Sequence, residues 1–312
     1  VFAINAFLEE LAPRKIEVLL AELDRIHFSD NNSLTVLPAW QSRMDSPDRE
    51  EWGKIFRRVI AEIRAGDYQK LVLARQTTLE FPRPLDPVAV LIHLRKATPG
   101  CFHFGFHFGG DVSFLGASPE RLFLRKGDGL FSEAVAGTAV SDKNSHSQDL
   151  LRSPKDLLEH RYVVDSIQAS LRPLCRRLTH RPVPRLFHIP SGQHLMTSFE
   201  ASLELDTSDD FLLAALHPTP AVGGFPIKQA RSKIQELEPF DRGWYAAPVG
   251  YIGEEQTEFA VAIRSGLLRG STLSLFAGAG IVHASDEEQE WQEVEQKAGA
   301  FAGIFPPTNQ TK

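Results

Sequence analysis

Strand-like runs in this 312-residue chain are repeatedly joined by turns too short to hold a helix. Phe102, Phe104, Phe106 and Phe108 alternate with His103, Gly105 and His107, the period of a half-buried strand. Downstream, VSFLGASPERLFLRKGDGLFSEAVAGTA reads as several strands with a hairpin turn at Gly127-Asp128-Gly129, and EFAVAIRSGLLRGSTLSLFAGAGIV turns at Gly270-Ser271. Parallel neighbours would need a crossover of roughly a dozen residues, so these strands pair antiparallel. The expected fold class is α+β, largely antiparallel sheet with helices packed outside, rather than repeated βαβ units.

Apolar residues at helical spacing mark Phe7 to Ile26, Pro47 to Gly66, Pro154 to about Cys175, Pro226 to Leu237, and a C-terminal helix with Trp291, Val294, Ala298 and Phe301 on its stripe. No internal repeat or low-complexity linker interrupts the chain, so one domain is expected over residues 1–312. A content of 42% hydrophobic and 24% charged residues fits a globular protein with a sizeable core. The net charge of −6 gives no electrostatic case for nucleic acid. Cys101 and Cys175 are too few for a disulfide framework and read as buried small hydrophobes in a reducing cytosol. No signal peptide or membrane-length apolar run is visible, so a cytoplasmic protein without a membrane partner is expected.

The segment SDEEQEWQEVEQK concentrates carboxylates on the C-terminal helix. Ser285 and Glu288 have capping-box spacing, while Glu290, Glu293 and Lys297 line one edge beside the apolar stripe. Glu287, Glu288 and Glu295 are expected to face water or to cap the helix. A second helix repeats the spacing: in SPKDLLEH, Ser153 is the N-cap, Pro154 takes the first position, and Asp156 and Glu159 stand at i,i+3. Spacing leaves two readings open, a shared magnesium site or a capping aspartate with a water-facing glutamate. His160 lacks any zinc pattern and is assigned to packing or surface. Gly278-Ala-Gly280 lacks the third glycine of a dinucleotide fingerprint; there and at Ala136-Gly137-Thr138 the backbone either approaches an anion or simply turns. Lys70 and Glu120, taken singly, read as surface residues. Arg264, within the apolar run AVAIRSGLL, calls for an anionic partner.

Ten blocks in order, KLVLARQ, GASPERLF, EAVAGTA, KDLLEH, QHLMTSFEASL, LHPTPAVGGFP, FDRGWYAAPVGY, EFAVAIRS, FAGAGIV and SDEEQEWQEVEQK, resemble the chorismate-utilising enzyme family from about Trp52 to Phe301. Within the family the resemblance is greatest to isochorismate synthases of the menaquinone and siderophore type. It implies two antiparallel sheets packed as a sandwich with helices outside, a family core over 52–301 after a short variable part at 1–51, and magnesium-dependent, reversible conversion of chorismate to isochorismate. Lys70 then matches the general base, which must favour its neutral form against a free-lysine pKa of about 10.4. Glu120 matches the acid that protonates the departing hydroxyl. Glu159 and Glu293 match direct magnesium ligands, and Asp156 and Glu290 the outer shell holding metal-bound waters. Arg264, Tyr245, Lys297 and the backbone of Gly278 and Gly280 match substrate-carboxylate contacts; His194, Gly137 and Thr138 match positions around the ring carboxylate and carbon 4.

Ala221, in PAVGG, replaces the threonine typical of the ammonia-using members, and no glutamine-amidotransferase segment or partner is implied. Salicylate synthase is the nearest alternative, followed by another chorismate-utilising enzyme, such as an anthranilate or aminodeoxychorismate synthase component, or a catalytically silent chorismate-binding relative. Three departures stand out against the family: the short N-terminal part, YAAPVGY for YAGPVGW, and Gln296 where asparagine is usual before Lys297.

Overall fold

Every strand pairing among the described residues is antiparallel, as the tight turns require. The computed structural model describes residues 35–139, 150–189 and 192–307. Described residues from Leu37 onward form one compact unit. The helical pattern at Phe7 to Ile26 lies outside the described residues.

Strand β1 (Ser42–Ser46) leads to helix α1 (Arg49–Ala65), then β2 (Lys70–Glu80) and helix α2 (Pro87–Ala97). Strands β3 (Phe102–His107), β4 (Val112–Ser118), β5 (Arg121–Lys126) and β6 (Gly129–Ala139) follow, and helix α3 (Pro154–Leu171) precedes β7 (Cys175–His180), β8 (Arg185–Ile189) and β9 (Gly192–Leu203). Next come helix α4 (Asp209–Leu216), β10 (Gly224–Phe225), helix α5 (Ile227–Leu237), β11 (Pro248–Ile252) and β12 (Thr257–Val261). Strands β13 (Ser265–Arg269) and β14 (Thr272–Val282) lead into helix α6 (Glu287–Ala302). One seven-stranded sheet is ordered β1-β2-β14-β13-β4-β3 with β10 also on β2; the other is β11-β12-β5-β6-β9-β7 with β8 also on β9.

The central pair β2 and β14 shows how sequence sorts the two faces of a sheet. Leu71, Leu73, Ala277, Ala279 and Ile281 pack with Trp52 and Val59 of α1, Ile234 of α5, and Val294 and Ala298 of α6. Strand side chains alternate, so Lys70, Val72, Gly278 and Gly280 must point the other way. Each large apolar side chain fully buried in this layer contributes about 1.5–3 kcal/mol of gross transfer free energy.

Three boundaries differ from the sequence expectation for local reasons. Helix α3 stops at Leu171 rather than near Cys175, because Pro173 cannot continue the hydrogen-bond ladder and a short 3-10 turn, Arg172–Leu174, takes over. Helix α6 is capped by Asp286, whose side chain accepts from Glu288 N and Gln289 N, while Ser285 Oγ accepts from Val282 N. The capping box at Ser285 is therefore not formed. Glu295 keeps part of its side chain exposed but is not a free solvent charge: it pairs with Arg43 and lies 2.9 Å from Nη1 of the buried Arg75, whose guanidinium sits 4.3 Å from the Trp291 ring centroid. Glu287, too, is engaged, by Arg49 and Arg57.

Candidate active site

Lys70 is the first residue of β2 and wholly buried, its Nζ 3.0 Å from Oε1 of Glu159 on α3. The pair fits because Gly280 faces it without a side chain: a Cβ there would lie 2.1 Å from Glu159 Oε1 and 2.8 Å from Lys70 Cε. The glycine is thus a spacing element at this point rather than a turn.

Beside the pair opens a cavity lined from both sheets. Of the residues singled out from sequence, Glu120, Gly137, Thr138, Glu159, His194, Ala221, Tyr245, Arg264, Gly278, Gly280 and Lys297 line it. Lys70, Asp156, Glu290 and Glu293 stand behind that lining. Asp156 backs Gly137, its Cβ 3.1 Å from where a Cβ of that residue would be. Gly137 has φ 76° at an irregularity in the β6–β9 pairing, which lets Thr138 Oγ1 meet His194 Nδ1 at 3.1 Å.

Glu120 sits in the connection between β4 and β5 and is buried. Burial pushes its pKa up to about 8, although Lys70 and Lys297 pull the other way. It is therefore a protonated carboxyl at neutral pH, able to donate. His194 is the reverse case: burial, then Arg264 and Lys297, push it down to about 3, so the imidazole is neutral. His160, assigned to packing or surface, is buried and meets Thr197 Oγ1 at 2.8 Å; burial and Lys70 lower its pKa to about 4.

Arg264 is not inside a strand as expected. It occupies the corner between β12 and β13 in the left-handed region, φ 52°, and its carbonyl accepts from Ala117 N. Its Nε is buried without a hydrogen-bond partner, and burial lowers its pKa despite nearby Tyr245 and Glu293. Tyr245, stacked on Phe276 at 5.6 Å, is pushed by burial up to about 12 and stays a neutral donor.

The four acidic residues of α3 and α6 act on one another electrostatically. Burial, then the Glu293 charge, raises Glu290 to about 7; burial likewise raises Asp156, to which Glu159 and Glu293 add. Burial also works to raise Glu293, but Lys297 outweighs it and leaves it below the ordinary carboxylate value. Lysines stand between these groups: Lys297 pairs with Glu293 at 2.5 Å and donates to Gly278 O at 2.9 Å, and Lys155 pairs with Glu290. Among the described residues, no three carboxylate or imidazole side chains close together as a metal-holding group. The donor set itself is all carboxylate oxygen, Glu159 and Glu290 buried and Asp156 and Glu293 partly so, and its mutual repulsion suits a hard divalent cation such as magnesium better than a softer ion.

The "Chorismate binding enzyme" family profile matches residues 3–304. The chain belongs to the chorismate-binding enzyme family. Isochorismate synthase MenF of Haemophilus influenzae is 35% identical over 89% of this chain and 67% of its own length, and MenF of Bacillus subtilis is 39% identical over 80% and 54%. The solved structure of the menaquinone-specific isochorismate synthase MenF of Escherichia coli superposes with a TM-score of 0.83 at 34% identity, covering 94% of this chain and 69% of that one. The chain therefore spans about half to two thirds of the length of these curated relatives.

For a chorismate-binding enzyme, two features of this site escaped the sequence. Lys155, which pairs with Glu290, is one; a basic residue immediately before the acidic i,i+3 pair of Asp156 and Glu159 was the available signal. Val72 and Val222 also line the cavity. No motif marks them, since an apolar wall is defined only by which strand face it occupies.

Proposed function

We propose that this chain is an isochorismate synthase, adding water at carbon 2 of chorismate and expelling the carbon 4 hydroxyl with a shift of the ring double bonds. The observation that carries the reading is one cavity, lined by both sheets, that holds the buried, protonated Glu120 and also Glu159, behind which Lys70 is buried at 3.0 Å. The leaving hydroxyl needs a proton, and Glu120 holds one at neutral pH. The attacking water must lose one, and Lys70 is the buried amine that can take it only in its neutral form, after the proton it holds in the pair with Glu159 has been given up. Arg264, with an unpartnered Nε, and Tyr245, with a neutral phenol, supply cationic and neutral donors for a substrate carboxylate. The neutral His194, fixed by Thr138, orients the group at carbon 4.

Glu159 and Glu293 would hold magnesium directly, with Asp156 and Glu290 behind them, and when bound it would supply charge neutralisation for the ring carboxylate. Ala221 lines the cavity with a methyl group and offers no hydroxyl to steer ammonia. The test is chorismate with magnesium and no ammonium salt, with products separated over time. Isochorismate approaching a mixed equilibrium, and lost on adding a chelator, is the expected result. Salicylate accumulating with pyruvate would replace this reading with a salicylate synthase, and no turnover would leave a silent chorismate binder.

A further inference from the structure

Strand β2 has a complete partner on one side only. Along β14 it is paired from Lys70 to Glu80, whereas on its other side β10 covers Lys70 and Leu71, and β1 covers Gln76 to Glu80. Val72 N still donates to Gly223 O at 2.8 Å, but any other outward-facing backbone group between those two short strands left buried without a partner would cost about 1–3 kcal/mol. Two side chains fill the gap. Glu238 Oε1 accepts from Ala74 N at 2.9 Å, and Arg242 Nη2 donates to Val72 O at 2.9 Å.

The same guanidinium reaches the other wall of the cavity. Arg242 Nη1 donates to Val222 O at 2.7 Å, its Nε donates to Glu238 Oε2 at 2.7 Å, and Nη2 also meets Glu238 Oε1 at 2.5 Å. Its Cζ lies 5.6 Å from the Tyr245 ring, and its carbonyl accepts from Tyr245 N at 2.9 Å. Val222 and Tyr245 form the partition between the catalytic cavity and a neighbouring cavity of about 790 Å3.

We propose that Arg242, charge-balanced by Glu238, is a positioning residue for the reaction: together they substitute for a missing strand beside Val72 and Ala74, and Arg242 fixes the Val222–Tyr245 partition against the substrate. Four donor contacts in one plane need the rigid fork of arginine; a lysine has three donors on a single atom and cannot span Val72 O, Val222 O and Glu238 together. The inference rests on the isochorismate synthase reading only for what is turned over, not for what is bound.

The test compares Arg242→Lys and Glu238→Gln with wild type for steady-state kinetics, chorismate affinity by calorimetry, and thermal unfolding. Arg242→Lys keeps the charge but loses the fork, and is expected to unfold cooperatively while KM and Kd for chorismate rise about tenfold and kcat stays within about threefold. Glu238→Gln shifts KM the same way by less. Unchanged KM and Kd in both variants, with only a lower melting temperature, would reduce the pair to a structural role and overturn the proposal; if Arg242→Lys does not fold, Glu238→Gln decides by the same criterion. A wild-type protein that binds chorismate without turning it over defeats the functional reading alone, and the variant-to-wild-type Kd ratio still tests the positioning role.

Discussion

Lys70 Nζ lies 3.0 Å from Glu159 Oε1, so the residue matched to the general base and a residue matched to the metal are held by each other. Replacing Lys70 by Ala removes the amine and strands a nearly buried carboxylate, a change that costs about 3–5 kcal/mol of stability. Turnover should fall about 100-fold or more while far-ultraviolet circular dichroism keeps its wild-type shape. Wild-type turnover in Lys70→Ala would remove Lys70 from the mechanism.

Glu120 predicts two pH dependences with one cause. Its pKa is about 8 in the folded protein against an ordinary 4.5, so between those values the folded state holds a proton that the unfolded chain has lost. The stability it contributes is complete below the ordinary value and is lost as pH rises through about 8. Glu120→Gln cannot ionise, so its melting temperature relative to wild type should climb from about pH 5 to about pH 8 and then level off, the span of that shift. Activity of the wild type should decline above the same pH, and the variant should be nearly inactive. A melting-temperature difference that is flat with pH would show that Glu120 is not protonated in the fold.

Two glycines give opposite predictions for the same substitution. Gly280→Ala would put a Cβ 2.1 Å from Glu159 Oε1, displacing the carboxylate and the lysine together, so activity should be lost. Gly299, inside α6, has nothing within 4 Å of its Cβ position. Gly299→Ala should stabilise by about 0.5–1 kcal/mol and leave kinetics unchanged. Denaturant melts and initial rates on the two proteins check both.

The contact between Arg75 and Glu295 predicts a stability cost far from any substrate. Arg75 is fully buried, so Glu295→Ala leaves it with the more distant Asp45 carboxylate at 3.5 Å and should lower unfolding free energy by about 2–3 kcal/mol. Glu288→Ala, on the exposed side of the same helix, should change it by less than about 1 kcal/mol. Equal effects would mean that burial of Arg75 carries no energetic weight.

Much of the fold was legible because antiparallel sheet announces itself locally. The turns at Gly127-Asp128-Gly129 and Gly270-Ser271 join neighbours in the same sheet, and the alternation of Phe102, Phe104 and Phe106 is β3. Helix α4 was missed because its eight residues are too short for a period of 3.6 to stand out. In the cavity, Arg264, a charge in an apolar run, was findable from its surroundings, whereas Lys70 and Glu120 read singly as surface residues and were reached only through the family resemblance. Arg242 was reached by neither, since its value lies in backbone atoms of Val72 and Val222 that are distant in sequence and adjacent only after β2 is placed.

The most direct measurement is turnover of chorismate in water enriched in oxygen-18, with product masses read before equilibrium. Addition of solvent water at carbon 2 predicts isochorismate carrying one heavy oxygen, and recovered chorismate that gains label as the reverse reaction returns it. Unlabelled isochorismate would mean that the hydroxyl migrates without solvent water, and the assignment of Lys70 and Glu120 as base and acid for exchange would be wrong.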